Sequence, residues 1–352
     1  MAPHATKRRR LNSSDGESSR HSDSSSDSES QTEAKQAPNN AAAKNASKAP
    51  PKRIAADTTA QLAQATGLSK SGLFKLQTDD LLAELRPDYD KLVSQVHDFL
   101  SKIKDAICGL PESQPKVPRD AELEMRKNHG IVVPFPSPAP DKDSKLPMAY
   151  QPPVNVNVVG SLSLRTGLRI EDTFNVDLAV TMPKTIFQEK DYLNHRYFYK
   201  RAYYVACLAA GIKRAKLPVT ISFATQDGDG LRPVIFLEPS TGASEEVTRL
   251  KLRVRIITAL EDGVFPVAKT LPIKNNIRSR PEGQSSPDEP SPFYNGSLRS
   301  EATVTAYHKL LYSTLKKYEN VRDACFLGRT WLRQRGFGSS LDKGGFGAFE
   351  WA

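Results

Sequence analysis

The stretch NVVGSLSLRTGLRIEDTFNVDLAVTMP, residues 157–183, decides which fold this chain adopts. A short apolar run ends in the Gly160-Ser161 turn, and a second apolar run follows that contains Asn175 and Asp177. Alternate residues of a β-strand point to the same face of a sheet. The pattern therefore predicts two strands joined through a turn, with Asn175 and Asp177 side by side on one face.

This arrangement is close to the metal-binding pattern of nucleotidyltransferases. In such enzymes two carboxylates on one strand and a third on a neighbouring strand hold two divalent ions about 3.5–4 Å apart. A Gly-Ser turn that opens a helix adds backbone N–H groups for the triphosphate. In this chain Asp177 fits the second carboxylate, whereas Asn175 supplies a neutral oxygen where a charge is required.

The third carboxylate is missing as well. The strand candidate RLKLRVRII, residues 249–257, alternates apolar residues with Lys251, Arg253 and Arg255. Glu238 is a poor substitute because it ends its own strand candidate beside a proline. A single aspartate cannot hold two Mg²⁺ ions against an arginine. We therefore predict a site that has lost catalysis and that binds no metal or cofactor.

Two different functions are compatible with these residues. The first is a non-catalytic scaffold that binds RNA and proteins through an enzyme fold without activity. The alternative is an active RNA nucleotidyltransferase with an unusual ligand set, in which Asp177 works with an acid outside this chain. The missing carboxylate pair favours the scaffold.

Two groups of cations are candidate contacts for RNA or for a protein partner. On the strand face that lacks acids, an inherited phosphate cleft would hold an RNA backbone or an acidic peptide with Lys251, Arg253 and Arg255. The helical segment NHRYFYKRAYY carries the second group, Arg196, Lys200 and Arg201. Its aromatic residues suit base stacking, but the same spacing is expected if they form the buried face of a helix. The strand charges are equally compatible with an ordinary surface strand.

Charge and composition narrow the class of partner. The chain has 352 residues and a formal charge of +10, from 50 Lys and Arg against 40 Asp and Glu. This balance favours an anionic partner such as nucleic acid, although a merely soluble basic protein has the same balance. The three cysteines form no CxxC pair and are interpreted as ordinary thiols of a reducing compartment. No apolar run approaches the roughly 20 residues that span a bilayer, so we expect no membrane partner.

Residues 1–53 contain few large apolar side chains and are predicted to form a disordered tail. A nuclear-import signal is indicated by a basic run, Lys7, Arg8, Arg9 and Arg10. Candidate sites for an acidophilic kinase are two serines that precede an acid by three residues, Ser24 and Ser26. Phosphate would add about −1.5 to −2 charges at each of them. The alternative is that the tail is only a solvated spacer.

The rest of the chain divides into four predicted segments. They are a helical arm, an extended proline-rich linker, an α+β domain with a mixed sheet, and a mainly helical region, at residues 54–110, 111–150, 151–275 and 276–352. Within the arm, a short helix around residues 81–85 is predicted to be capped by Thr78. Apolar residues at helical spacing predict a second helix over residues 89–107.

Several of these stretches together resemble one protein family. They are Gly160-Ser161, FNVDLAVTMP, LNHRYFYKRAYYVACLA, FYNGSLRSE and WLRQRGFG with GGFGAFEW. Over roughly residues 80–352 the chain resembles the Nrap family of nucleolar RNA-associated proteins. The resemblance implies a nucleotidyltransferase-like fold of the DNA polymerase β superfamily for residues 151–275. It implies the start of a helical poly(A)-polymerase-like domain for residues 276–352, and hence an N-terminal fragment of a longer protein.

The resemblance also implies a function. Members are expected to be non-catalytic scaffolds of the small-subunit processome in the nucleolus, acting in pre-rRNA processing and small ribosomal subunit biogenesis. The implied partners are pre-rRNA, the small nucleolar ribonucleoprotein, a small RNA-binding ribosome-biogenesis protein, casein kinase two subunits and other processome proteins. The degenerate motif of the family falls on Gly160, Ser161, Asn175 and Asp177.

Overall fold

The computed structural model describes residues 70–169, 173–278 and 289–352. The predicted tail, its import signal and its two phosphosites lie outside these residues, and so does the first part of the predicted helical arm. Among the described residues, no helix is both long and apolar enough to cross a membrane.

Two helices form the described part of the arm, α1 (Lys70–Leu85) and α2 (Tyr89–Cys108). Helix α2 begins after Asp88, whose carboxylate accepts a hydrogen bond from the backbone N–H of Lys91 at 3.1 Å. Its apolar stripe is buried in the main core, at Val96, Leu100, Ile103 and Ile107. The helix predicted over residues 89–107 is therefore confirmed.

Helix α1 is longer than the helix predicted over residues 81–85, and Thr78 does not cap it. The Thr78 hydroxyl donates to the carbonyl oxygen of Phe74 at 2.9 Å, so Thr78 lies in the helix interior. The helical pattern of apolar residues is weak here. Among the 16 residues of this helix, the buried large apolar side chains are Leu73, Leu82 and Leu85.

The segment 111–150 is not an extended linker throughout, which corrects the prediction. It contains β1 (Ser113–Lys116), α3 (Pro118–Glu124) and β2 (Met148–Tyr150), and β1 pairs antiparallel with β2. Helix α3 continues into a π-helical turn at Met125–His129. Helix α3 begins at Pro118, and a proline is tolerated there because the first helical turn needs no backbone N–H donor. The proline-rich composition of the segment therefore does not exclude a helix, although it favoured the prediction of a linker. The segment also adds buried side chains to the main core, among them Met125, Met148 and Tyr150.

The centre of the molecule is a five-stranded mixed sheet. Its strands are β3 (Asn155–Val159), β4 (Phe174–Met182), β5 (Val219–Gln226), β6 (Asp229–Pro239) and β7 (Leu252–Leu260). Their spatial order is β3-β4-β7-β6-β5, with β4 parallel to β7 and the other neighbours antiparallel. The predicted α+β class with a mixed sheet is confirmed.

Short helices join the strands at two places. Helix α4 (Gly160–Leu164) follows β3 directly. The long helix predicted after β4 is α5 (Arg196–Arg214), which packs against β6 on one side and against β2 and α2 on the other. At Gly211 a Cβ atom would lie 2.2 Å from the side chain of Leu110, so glycine permits this close approach. Helix α6 (Glu245–Arg249) precedes β7.

Helices form the C-terminal part of the described chain. Helix α7 (Pro292–Lys317) crosses β7 and β6, and α8 (Glu319–Arg335) packs against α7 and α1. The last element, α9 (Ala348–Trp351), packs against α8. Helix α7 buries the side chains that face the sheet, including Tyr294, Leu298 and Glu301. It thereby forms a wall beside the strands that carry the polar motif.

Candidate functional site

A cleft with a volume of about 1220 Å³ lies between the sheet and helix α7. All four residues of the predicted motif line it, Gly160, Ser161, Asn175 and Asp177. Two of the three predicted strand cations, Arg253 and Arg255, line it as well. The third, Lys251, is exposed ahead of β7 and is not among the residues that line this cleft. The structure therefore brings together all four motif residues and two of the three predicted strand cations.

The backbone around Gly160 fixes the position of Asp177. Strand β3 pairs with β4 so that Val159 lies opposite Asp177, and Gly160 follows immediately with φ +70°. A Cβ atom at Gly160 would lie 2.6 Å from Oδ2 of Asp177. Only glycine satisfies both the left-handed backbone and the contact with the carboxylate.

The parallel register of β4 and β7 places a guanidinium beside each motif residue. Asn175 lies opposite Arg253, and Asp177 lies opposite Arg255. Nε of Arg255 donates to Oδ1 of Asp177 at 2.7 Å. Arg253 donates instead to Oε1 of Glu238 at 2.8 Å. A cation therefore occupies the place where a third carboxylate would stand in a nucleotidyltransferase.

Neighbouring acids keep Arg255 charged and so stabilise its ion pair with Asp177. Burial lowers the pKa of the Arg255 guanidinium, but the charge and hydrogen bond of Asp177, with the charge of Asp227, outweigh burial and raise that pKa. Arg255 thus stays charged, and the side chains of Arg255 and Asp177 are 28 % and 18 % exposed. Charge-assisted hydrogen bonds of this kind are stronger than neutral ones. The carboxylate is already neutralised within the protein.

Three carboxylates that line the cleft were not predicted from the sequence, those of Asp227, Asp229 and Glu350. Asp227 and Asp229 lie at the turn between β5 and β6, and Oδ1 of Asp227 is 3.8 Å from a terminal nitrogen of Arg255. Asp229 accepts a hydrogen bond from Nε of Arg232 at 2.8 Å. The run DGDG at residues 227–230 signals a hairpin turn but not its position over the cleft.

These acids do not form a metal centre. Within the part of the chain that the structure describes, no group of three or more His, Cys, Asp or Glu side chains is arranged to hold a metal ion. Asp177 and Asp229 each bind an arginine, and the amide of Asn175 donates to the carbonyl oxygen of Thr173 at 3.3 Å. Two-metal catalysis needs several free carboxylates, so this donor set does not fit the metal pair of a nucleotidyltransferase.

The prediction that the cations of α5 contact RNA is wrong for Lys200 and Arg201. Nζ of Lys200 lies 2.6 Å from the buried carboxylate of Asp191, and Lys200 is 3 % exposed. Arg201 is fully buried against Glu301. The aromatic residues form the buried face that was the alternative, at Tyr197, Phe198, Tyr199, Tyr203 and Tyr204. The predicted contact Arg196 is partly exposed, but its guanidinium also forms an ion pair with Asp191, with Nε 3.2 Å from Oδ1.

Glu301 is the centre of a buried network that joins α7 to the sheet. Its carboxylate accepts hydrogen bonds from Nε of Arg201 at 2.6 Å, from the Thr258 hydroxyl at 3.1 Å and from the Tyr197 hydroxyl. Burial and the Glu301 charge raise the pKa of Tyr197 well above its ordinary value, so this phenol stays protonated and can donate. The network fixes α7, and with it one wall of the cleft. Sequence alone gave no signal for it.

Comparison with known proteins gives consistent matches. The model of Nrap protein domain 1 matches residues 115–317, and the model of the Nrap protein PAP/OAS-like domain matches residues 320–352. U3 small nucleolar RNA-associated protein 22 of Saccharomyces cerevisiae is 32% identical over 299 residues, which cover 80% of this chain and 24% of that protein. Its Schizosaccharomyces pombe counterpart is 34% identical over 289 residues, 81% of this chain and 25% of that protein.

Animal relatives match in the same way. Nucleolar protein 6 of Mus musculus is 36% identical over 290 residues, which cover 80% of this chain and 23% of that protein. The chain thus spans about a quarter of the length of these relatives.

Proposed function

The chain belongs to the Nrap family and has a nucleotidyltransferase-like fold, and from this premise we propose that it forms part of a non-catalytic scaffold of the nucleolar small-subunit processome. Relatives named U3 small nucleolar RNA-associated protein and nucleolar protein 6 support a nuclear, nucleolar location and a role in ribosome biogenesis. On this proposal the protein acts in pre-rRNA processing and small ribosomal subunit biogenesis by binding RNA and proteins. The boundary between a nucleotidyltransferase-like domain at 151–275 and a helical domain from 276 stays a prediction.

The ion pair between Asp177 and Arg255 carries the non-catalytic part of the proposal. A catalytic strand presents negative charge to two divalent ions, whereas Asn175, Asp177 and Arg255 together have a net charge of zero. At about 4 Å and an effective dielectric constant near 20, one guanidinium repels a divalent ion by about 8 kcal/mol. A metal at Asp177 would compete for this carboxylate with Arg255, which donates to its Oδ1 at 2.7 Å.

Cations along the cleft support RNA as its ligand. Arg253 and Arg255 on the strand face Arg299, an exposed residue of α7 that also lines the cleft. Cationic grooves that follow a phosphate backbone are the usual sites of sequence-independent RNA binding. We include in the proposal the partners that the family implies, namely pre-rRNA, the small nucleolar ribonucleoprotein, a small RNA-binding protein, casein kinase two subunits and other processome proteins.

One observation favours a second function. Asp177, Asp227 and Asp229 line the same cleft, so an active RNA nucleotidyltransferase would have acids in reach if Arg255 swung away from them. This site would use a ligand set unlike the usual one.

Nucleotide incorporation decides between the two functions. The full-length protein is incubated with a labelled nucleotide, a short RNA primer and Mg²⁺ or Mn²⁺, beside a matched Asp177→Ala protein. Incorporation no higher than in the Asp177→Ala protein supports the scaffold. Incorporation that Asp177→Ala abolishes refutes it and assigns catalysis to a set of acids that includes Asp177.

Binding of RNA in the cleft has its own test. The double substitution Arg253→Gln with Arg299→Gln removes two cleft cations, and Lys251→Gln removes an exposed cation outside the cleft. We expect the double variant to bind single-stranded RNA at least about tenfold more weakly, because both phosphate contacts are lost. Lys251→Gln should bind like the unsubstituted protein. Equal affinities for all three proteins in fluorescence anisotropy would refute an RNA site in the cleft.

A further inference from the structure

A second pocket, of about 810 Å³, adjoins the cleft at helix α4, and Leu164 lines both. Ser161 of α4 lines the cleft, whereas Ser163 and Arg165 line the second pocket. Its walls come from α2, β3, the end of α4, α7 and α8. The pocket is therefore built by elements that lie far apart in the sequence.

The charge of this pocket has one sign. Four of its lining residues are permanent cations from four different segments, Lys104, Arg165, Lys316 and Arg322, and His97 lies beside them. None of the residues that line the pocket is an aspartate or glutamate. The cleft differs, because both arginines and acids line it.

The cations of the pocket are only partly neutralised by the protein. Arg165 donates to Asp90 at 2.8 Å, but this aspartate is 83 % exposed at the rim. Among the described residues, neither Lys104 nor Lys316 forms an ion pair. Nε of Arg322 is buried and has no hydrogen-bond partner. A buried N–H without an acceptor leaves the guanidinium of Arg322 incompletely compensated by the protein.

The shape of the pocket indicates what kind of anion fits. The pocket collects four cations from four segments of the chain, which is more positive charge than one phosphate requires. Tyr312 lines the pocket with about half of its surface exposed, and Asn157 and Ser101 add polar groups. Proteins that bind single-stranded nucleic acid combine a cationic groove with an exposed aromatic ring on which a base stacks.

We propose that this pocket binds the phosphodiester backbone of single-stranded RNA, as a second contact beside the cleft. The choice of RNA as the anion rests on the proposed function, whereas the position of the site rests on the residues of the pocket. Lys104 and Lys316 contact successive phosphates, the guanidinium charge of Arg322 attracts the backbone, and the ring of Tyr312 stacks on a base.

The test uses paired charge reversals in the full chain. Lys104→Glu with Lys316→Glu changes the pocket, and Lys102→Glu with Lys309→Glu is the matched control. Each control lysine is exposed on the same helix as its counterpart, and neither lines the pocket. Binding of a fluorescent single-stranded oligouridine is measured by anisotropy over a range of salt concentrations. Circular dichroism checks that the variants are folded, and Lys104→Gln with Lys316→Gln replaces the reversal if it unfolds the chain.

The pocket variant is expected to bind the RNA at least about tenfold more weakly than the control variant. The slope of log affinity against log salt should become shallower by about 1.4, because each of two lost phosphate contacts on a single strand contributes about 0.7. Inorganic phosphate and polyglutamate are titrated as competing anions. We expect the pocket variant to lose RNA binding more than binding of either competitor.

Three outcomes would overturn the proposal. Equal RNA affinity of the pocket and control variants refutes the pocket, and the proposed function stands if the cleft variant of Arg253 and Arg299 still loses RNA. Absence of RNA binding by the unsubstituted chain refutes the RNA-binding part of the proposed function together with the pocket. Loss of phosphate or polyglutamate binding alone, with RNA binding unchanged, assigns the pocket to a free phosphate or an acidic protein segment.

Discussion

The buried carboxylate of Glu301 should be one of the most sensitive positions for stability. Glu301 is 1 % exposed and Arg201 is fully buried, and Nε of Arg201 lies 2.6 Å from the carboxylate. In Glu301→Gln the guanidinium keeps its position but loses its counter-charge in the interior. Breaking a buried ion pair from one side costs about 3–5 kcal/mol, because the remaining charge stays desolvated. We expect the free energy of unfolding to fall by about this amount.

Urea unfolding followed by circular dichroism measures the loss. An exposed pair supplies the matched control, because Arg253 and Glu238 are 2.8 Å apart, close to the 2.6 Å of the buried pair, but are 40 % and 48 % exposed. Glu238→Gln should change the free energy of unfolding by no more than about 1 kcal/mol. The contrast between the two glutamates isolates burial as the cause.

A double substitution separates the lost pair from lost packing. Arg201→Met with Glu301→Leu removes both charges and should cost less than Glu301→Gln, because no unpaired charge remains inside. The reasoning is refuted if Glu301→Gln is as stable as Glu238→Gln. It is also refuted if the double variant is less stable than Glu301→Gln, since the network would then act through its hydrogen bonds and shape rather than its charge.

Two further predictions concern the backbone and pH. Gly160→Ala should lose about 2–3 kcal/mol in urea unfolding, since its Cβ would lie 2.6 Å from Oδ2 of Asp177 at φ +70°. Gly228→Ala, at φ +79° with its nearest atom 3.9 Å away, should lose only about 1 kcal/mol, and equal losses would contradict the contact argument. Burial lowers the pKa of His195, so the unfolded chain binds the proton more readily and stability should fall as pH drops through about 6.5. Asparagine tolerates the backbone angle of φ +62° at this position, so His195→Asn should weaken the pH dependence of stability without straining the chain. The dependence that remains is due to His308, whose pKa is also lowered by burial. An unchanged pH profile would exclude His195 as a source.

The strands and the motif could be predicted because their signals are local. The alternation of apolar and polar residues in FNVDLAV is enough to place Asn175 and Asp177 on one face of β4. The same alternation put Arg253 and Arg255 together on β7. The sequence does not contain the pairing register, yet the absence of acids on one strand face correctly indicated that a cation stands beside Asp177.

The partners of the α5 cations could not be predicted, because they are distant in the chain. Arg201 and Glu301 are 100 residues apart, and nothing in the local pattern connects them. Lys200 looked like a surface cation because Asp191 lies before the helix, in a turn whose path the sequence does not define. Asp227 and Asp229 were not predicted for a related reason. The run DGDG indicates a hairpin turn, but the sequence does not show that this turn lies over the cleft.

The register between β4 and β7 also limits what a single substitution can do at this site. Asn175→Asp would put a carboxylate opposite Arg253, and Arg255 would still hold Asp177. Removing Arg255 first would leave Asp177 without its counter-charge in a place where it is 18 % exposed. Each single step toward a two-metal site is therefore either without effect or unfavourable, and several changes would have to occur together. The two arginines thus hold this pair of strands in its present charge pattern.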